Sequence, residues 1–300
     1  MNNRHKIAVL LAAYNGEKYI LEQIESILNQ ANVSVSIFIN VDLSTDSTKS
    51  LVSNLAIKYP AEITALSCEK AFGSAGKNFF SLIKNVDIRK FDFVAFADQD
   101  DIWHSDKLFR ATQVLQEYDC YSSNVIAFWE GGREVLIDKS QSQREWDFLF
   151  EAAGPGCTYV LRRDVAIKFK TWLIEHYDKI THDIALHDWL IYAFCRHFGY
   201  RWFIDPRPGM RYRQHANNQV GTNNSISAAK KRLLLIKGKW YRNQVTKIAE
   251  HLELQNLSMV KYGLNKGYIG NLYLLFNVNQ LRRRLRDRIA LSFALLFNIF

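Results

Sequence analysis

Phe93-Val94-Ala95-Phe96-Ala97-Asp98-Gln99-Asp100-Asp101 is the stretch on which the reading of this chain turns. An unbroken apolar run of that length predicts a buried strand. Acids crowded at its end repel one another unless positive charge joins them. Carboxylate oxygens are hard ligands, so magnesium or manganese suits the place. Magnesium takes only one or two protein carboxylates and fills its shell with water and substrate phosphates, which points to a diphosphate ligand. The competing reading is a solvated acidic turn capping a helix from Asp106, since acids also favour helix starts.

Working outward, strand-like apolar runs recur at Ile7–Ala13, Val35–Val41 and Ile63–Cys68, and the first stretch extends back to Phe91. Helical spacing lies between them. Ile20, Leu21, Ile24, Ile27 and Leu28 form one stripe, and Leu51, Val52, Leu55 and Ala56 a second, with Ser44 or Thr45 as its N-cap. Lys77–Lys84 carries a third, through Phe79, Phe80, Leu82 and Ile83. Such alternation predicts an α/β fold, a mostly parallel sheet with helices on both faces. Ligands of open α/β sheets bind outside the carboxyl ends of the strands. Tyr14-Asn15-Gly16, Asp42, Gly73–Asn78 and the acids all fall at those ends. Their convergence favours a cation site over a solvated turn.

Further along, the sequence predicts a helix over Asp106–Tyr118, a strand over Val125–Trp129 and an exposed loop over Lys139–Arg144. Gly154-Pro155-Gly156 turns the chain before a short strand, Cys157–Leu161. A helix from Asp164 to about Tyr177 follows, and then His187-Asp188 opens the apolar helix Trp189–Phe198. Asp188 at such a start is open to two readings, an ordinary cap or a general base. Strands Arg201–Ile204 and Met210–Arg213 lead into Gln214–Asn218.

Composition narrows the function classes. With 300 residues and 48 % apolar content the chain buries a sizeable core. Cys68, Cys120, Cys157 and Cys195 lie far apart without a CxxC pair, which excludes a zinc ribbon or a disulfide framework and fits a reducing cytoplasm. The apolar run after Arg4 and Lys6 is too short for a signal peptide and lacks a cleavage site. The net charge of +9 is uneven: residues 222–300 hold fourteen Lys/Arg against three acids, leaving the first 221 residues at −2. The basic character therefore belongs to a C-terminal extension.

Taken together, these segments resemble the family-2 glycosyltransferases of the GT-A fold, in particular the bacterial rhamnosyltransferase-like branch that builds O-antigen and capsular polysaccharide. The resemblance runs from about Lys6 to Gly221 through LLAAYNGEKYILEQIESILNQ (Leu10–Gln30), VDLSTDST (Val41–Thr48), GSAGKNF (Gly73–Phe79), ADQDDIW (Ala97–Trp103), HDWL (His187–Leu190) and RQHANNQVG (Arg213–Gly221). It implies a GT-A domain over 1–221, with a nucleotide-sugar half to about 110, an acceptor half over 111–221 and a helical tail over 222–300. It implies an inverting transfer of sugar, rhamnose from dTDP-rhamnose being favoured, to a saccharide or polyprenyl-diphosphate-linked acceptor, with Mg2+ or Mn2+.

By the same resemblance Tyr14, flanked by Ala13 and Asn15, packs on the base, and Asp42 recognises it. Val41 and Leu43 depart from the family's acid and glycine at those positions, and Lys77-Asn78 replaces an Arg-Asn pair. Lysine keeps the charge there without arginine's planar fork. Asp98 contacts ribose or metal, Asp100 is the principal metal ligand, and His215 approaches the metal or diphosphate. Asp101 and Trp103 shape the loop. Asp188 is the general base, with Asp183 a rival, and His187 and Trp189 border the acceptor.

The tail reads as basic helices over Ala228–Leu254 and Arg282–Phe300. A twelve-residue helix reaches only about 18 Å against a bilayer core of about 30 Å. Cations beside Leu and Phe suit a helix lying on an anionic membrane, which predicts a peripheral place on the inner face of the bacterial cytoplasmic membrane. Helices packed on the core are the alternative. No nucleic-acid module accompanies the charge, so nucleic acid is not an expected partner. Two other functions compete: a nucleotidyltransferase, which normally has a glycine-rich basic loop where Tyr14-Asn15-Gly16-Glu17 stands, and a catalytically silent nucleotide-sugar-binding protein at the membrane.

Overall fold

The computed structural model describes residues 4–66, 71–215 and 238–300. Its main sheet has seven strands in the order β10-β6-β9-β4-β1-β2-β3. These are β1 (His5–Ala13), β2 (Val33–Val41), β3 (Ile63–Leu66), β4 (Phe93–Ala97), β6 (Cys120–Ser123), β9 (Val160–Arg162) and β10 (Trp202–Asp205). β4, β1, β2 and β3 run parallel, as the apolar runs predict, whereas β9 is antiparallel to both β4 and β6. Cys157–Leu161 is therefore not one strand: Gly156–Thr158 forms a single 3-10 turn and the strand starts at Val160.

Alternation along β1 divides the interior. Ile7, Val9, Leu11 and Ala13 join one hydrophobic cluster with Ile20, Ile24 and Ile27 of α1 (Ile20–Leu28) and with Leu108 and Ala111. Ala8, Leu10 and Ala12 face the other cluster, with Phe79, Phe80 and Leu82 of α3 (Ala75–Asn85). Successive side chains of a strand point to opposite faces, so a strand buried on both sides reads as an unbroken apolar run.

The second helix, α2 (Thr48–Lys58), begins later than its expected cap. Ser44 instead donates to the Asp42 carbonyl at 3.0 Å, and Asp46 Oδ1 accepts the Thr48 N–H at 3.0 Å. The helix expected over Asp106–Tyr118 is α4 (Lys107–Val114). α5 (Asp147–Phe150), α6 (Arg163–Glu175), α7 (Tyr177–Asp183) and α8 (His187–His197) cover the second half.

A second sheet, β5-β11-β7-β8, joins β5 (Ile102–Trp103), β7 (Val125–Phe128), β8 (Glu134–Ile137) and β11 (Met210–Arg213). Its pairing of Met210 with Trp103 brings β11 alongside the acidic turn.

The tail is no detached appendage. The helices over 240–251, 267–276, 278–281 and 285–296 put Val245, Ile248, Leu274, Leu281 and Leu295 into the same cluster as α3 and α8. The basic run is divided by this packing. Arg283 is buried, donates to Asp147 Oδ2 at 3.1 Å and to the Ala152 carbonyl at 2.7 Å, and its backbone N–H reaches Glu151 at 2.6 Å. Arg282 donates to the Tyr241 hydroxyl at 2.9 Å. These two arginines are spent inside the protein and are not available to a membrane. The part of the expected Ala228–Leu254 helix before residue 238, and Ala216–Gly221, lie outside the described residues, as does Cys68. Cys120, Cys157 and Cys195 are buried and unpaired. Among the described residues no helix is long and apolar enough to cross a membrane.

Candidate active site

Four strand ends meet at one edge, and their loops are tied together by side chains. Asn15 follows β1 at a φ of 47°, a left-handed conformation that asparagine tolerates. Its Oδ1 accepts the Thr45 N–H at 2.8 Å, and its own N–H donates to Ser44 Oγ at 3.0 Å. Asn15 thus pins the first loop to the second. Asp42, buried at the end of β2, accepts the N–H groups of Leu43 (2.8 Å), Phe72 (2.9 Å) and Gly73 (3.1 Å). Its carboxylate thereby orders the segment that enters α3.

Lys77, in the first turn of α3, has an exposed side chain, and its N–H donates to the capping Ser74 Oγ at 3.3 Å. Asn78 behaves differently from its neighbour. It is buried, with Nδ2 3.1 Å from the Asn40 carbonyl and 3.5 Å from that of Ala13. The amide closes the ends of β1 and β2, so the structure gives Asn78 a framework role in place of the donor contact expected. Ala13 is likewise buried, its carbonyl accepting the Asp42 N–H at 2.8 Å. Tyr14 is 53 % exposed, and its ring is open to a ligand.

The acids after β4 are crowded. Asp98 is pushed up to about 7, by burial first and by the Asp100 charge next, with Asp188 adding to the effect. Asp101 is fully buried, its Oδ2 has no hydrogen-bond partner, and burial drives it well above the usual carboxylate range. His215 Nε2 lies 2.6 Å from Asp100 Oδ2. Carboxylate oxygens with an imidazole beside Asp100 are donor types that suit a hard divalent cation.

Among the described residues the ligand atoms that gather within 4.8 Å of one another are those of Asp98, Asp101 and Cys157. The thiol is pushed well above the ordinary range by burial and by the two carboxylates, so it stays protonated. A hard cation gains little from a protonated thiol. Lys107 faces the same group, buried with Nζ 3.4 Å from the centroid of the Trp103 ring and pushed down to about 7 by burial. We read Cys157 and Lys107 as the floor beneath the acids.

Arg213 grips the acidic turn from β11. Its N–H donates to Asp101 Oδ1 at 3.2 Å, its Nε donates to the Asp100 carbonyl at 2.9 Å, and its far end pairs with Glu22 of α1. The guanidinium lies 4.4 Å from the Tyr19 ring centroid and 4.6 Å from that of Phe128. Sequence reading gave Arg213, Gln99, Cys157 and Lys107 no role; the signal for the first two was their place inside the motifs RQH and DQDD.

Asp188 occupies the first turn of α8, and its Oδ1 accepts the Trp189 N–H at 2.8 Å. Burial outweighs the helix terminus and lifts it to about 6. The Gly154-Pro155-Gly156 turn lies against it: a Cβ on Gly156 would stand 2.9 Å from that of Asp188. Cys157, next in the chain to Gly156, lies with Asp98 and Asp101, so this turn brings the expected base and the acids into one neighbourhood.

Asp183 is elsewhere. It accepts from His251 of the tail at 2.9 Å and lies 3.8 Å from Lys247; burial pushes it up, but hydrogen bonds from His182 and His251 leave it below its ordinary value. It docks the tail. His187 is stacked on Phe79 at 3.9 Å and pushed down to about 3 by burial, a neutral core ring. Trp189 donates to the Phe148 carbonyl at 3.0 Å and stacks on Tyr241 of the tail at 5.6 Å. Neither ring presents the open face expected of an acceptor contact; both pack the wall behind Asp188.

The family described as "Glycosyltransferase like family 2" matches residues 5–135. The chain is 49 % identical over 292 residues to the dTDP-rhamnosyl transferase RfbG of Shigella flexneri, covering 97 % of this chain and 100 % of that protein. Among solved structures, S. aureus TarS 1-349 in complex with UDP-GlcNAc superposes with a TM-score of 0.52 at 17 % identity, over 98 % of this chain and 90 % of that one. The mannosyltransferase PcManGT of Pyrobaculum calidifontis, in complex with GDP-Man and Mn2+, gives 0.52 at 14 % identity, over 99 % and 86 %. These two likenesses speak to the GT-A fold. By its fold and by its full-length relative, the chain belongs to the family-2 glycosyltransferases.

Proposed function

We propose that this glycosyltransferase transfers rhamnose from dTDP-rhamnose, with inversion, to a hydroxyl of a saccharide or polyprenyl-diphosphate-linked saccharide in the synthesis of a bacterial surface polysaccharide. The observation that carries the chemistry is the turn Gly156-Cys157, which packs on Asp188 with one residue and on Asp98 and Asp101 with the next, beside the Gln99 bridge to Tyr14. The 49 % identity to a dTDP-rhamnosyl transferase along the whole chain supports the donor.

Tyr14 stacks on the base, and the loop ordered by Asp42 closes around the nucleotide. Lys77 offers charge to the diphosphate. Asp100 and Asp98, with His215, would hold Mg2+ or Mn2+, which when bound offsets the charge on the departing nucleoside diphosphate. Asp188 accepts the acceptor's hydroxyl proton as that oxygen bonds to the anomeric carbon and the carbon–oxygen bond to the diphosphate breaks. A base with a pKa near 6 is ionised at neutral pH yet still takes a proton from a group losing it.

The tail supports a place at an anionic membrane surface. Leu285, Ile289, Phe293 and Phe297 recur every four residues along one helix and are all half exposed or more. Lys261, Lys266 and Arg286 of the tail are exposed as well. An amphipathic face of this kind lies in the interface and meets a lipid-linked acceptor there.

The test is a panel of nucleotide sugars with magnesium or manganese, scored for donor- and acceptor-dependent release of nucleoside diphosphate. dTDP-rhamnose should give the fastest release, and EDTA should abolish it. Turnover of another donor and silence with dTDP-rhamnose would reject the assignment. Full turnover in EDTA would reject the metal.

A further inference from the structure

Gln99 stands between two acids of the site and contributes no charge, yet both ends of its amide are engaged. Oε1 accepts the Tyr14 N–H at 2.7 Å, and Nε2 donates to the Tyr14 carbonyl at 2.8 Å. One side chain thus satisfies both backbone groups of Tyr14, as a neighbouring strand would. The contact is confined from the other side by Gly16. A Cβ built on Gly16 would lie 2.3 Å from Gln99 Oε1 and 2.6 Å from its Cδ. Gly16 has little freedom to retreat, because its N–H donates to Thr48 Oγ1 at 2.7 Å and its carbonyl accepts from Tyr19 and Ile20 at 3.0 Å. Its φ is not among the left-handed ones, so room for the Gln99 amide is what position 16 demands of its residue.

We propose that Gln99 is a positioning residue of the donor site, locking the backbone of Tyr14 to the turn that carries Asp98 and Asp100. The base is held on one side of this bridge and the diphosphate on the other, so the bridge fixes the distance between the two ends of the nucleotide. The proposal rests on the reading of the site as a nucleotide-sugar site. It makes Gly16 and Gln99 one unit: a methyl at 16 displaces the amide, and truncation of Gln99 empties the space the methyl needs.

The test is a double-mutant cycle read by calorimetric binding of dTDP in magnesium, alongside donor KM and kcat and a thermal melt. Gln99→Ala and Gly16→Ala should each weaken dTDP about tenfold, the scale set by losing two ordinary hydrogen bonds. Donor KM should rise in step, with kcat at saturating donor little changed. The double variant should bind dTDP no more weakly than either single one, since coupled positions are not additive. Gln99→Glu keeps an acceptor for the Tyr14 N–H but sets an oxygen against the Tyr14 carbonyl, so it should match or exceed the loss in Gln99→Ala. Additive losses, or wild-type dTDP affinity in Gln99→Ala, would overturn the proposal. So would a lower melting temperature with dTDP affinity intact, the mark of a merely structural contact. Asp100→Asn separates the two levels. If it weakens dTDP and Gln99→Ala does not, only the positioning role fails; if neither does, the donor-site reading fails.

Discussion

At the scale of single residues, Asp188 is where burial and function pull against each other. A carboxylate lifted from 3.8 to about 6 by burial suits the base role proposed for it, at the cost of holding a charge where it is disfavoured. Asp188→Asn should lower kcat by about 10²–10⁴-fold, the usual range for losing a general base, without altering dTDP affinity. In the wild type kcat/KM should fall as pH drops through about 6, at saturating cation, and the residual rate of Asp188→Asn should lack that limb. The stability effect has the opposite sense. Above pH 6 the folded protein carries a charge that the unfolded chain carries more easily, so the amide should melt at the higher temperature. As pH falls through 6 towards 3.8 the wild type takes up its proton on folding and the gap should close. Melting curves at pH 8 and pH 4.5 check the sign, and a gap that widened towards acid would contradict the burial argument.

At the scale of elements, Arg283 ties the tail to the wall behind the base. It is buried between Asp147 and Glu151, and Asp147 is also held by Arg196 at 3.0 Å. Taking one partner from a buried ion pair leaves the others uncompensated and typically costs about 3–5 kcal/mol. Arg283→Met should therefore lower the unfolding free energy by roughly that amount in urea, and Arg286→Met, on the exposed side of the same run, should leave it nearly unchanged. This pair also shows what the sequence could and could not reveal. β1, β2, β4 and α1 were legible because burial imposes a period on consecutive residues. The clustering of the acids, Tyr14 and Asp42 followed from knowing which ends of parallel strands collect ligands. The second sheet was half legible: β7 and β11 fall where the sequence predicts strands, but β5 has only two residues and β8, Glu134–Ile137, is largely exposed, so neither of these carries a periodic signal. Arg283 meets Asp147 and Glu151 across more than 130 residues of chain, and Gln99 meets Tyr14 across 85. A run of arginines reads as solvated until the acids that fold against some of them are known.

At the scale of the molecule, the tail has two faces with different work. The inner face belongs to the core, so a chain ending near Gly221 would expose the α8 side of that core and could not test the outer face alone. The outer face can be changed without touching the inner one. Phe276 is 88 % exposed, and Phe293 and Phe297 lie on the helix that packs beside it, where the Tyr268 hydroxyl donates to the Leu296 carbonyl at 3.1 Å. Burying each phenylalanine in the interface is worth up to about 1.5–3 kcal/mol, and a nearby cation on an anionic surface about 1 kcal/mol. Phe276→Glu, Phe293→Glu and Phe297→Glu together should abolish flotation with vesicles rich in anionic lipid, while melting temperature and dTDP binding stay at wild type. Lys261→Gln with Lys266→Gln should weaken flotation and lessen its dependence on salt. Water-soluble acceptors should be glycosylated at the wild-type rate by the phenylalanine variant, and lipid-linked acceptors presented in vesicles much more slowly. If the variant floats like the wild type, the face serves another partner. A wild-type dimer in solution that the same substitutions dissolve would identify that partner as a second copy of the chain.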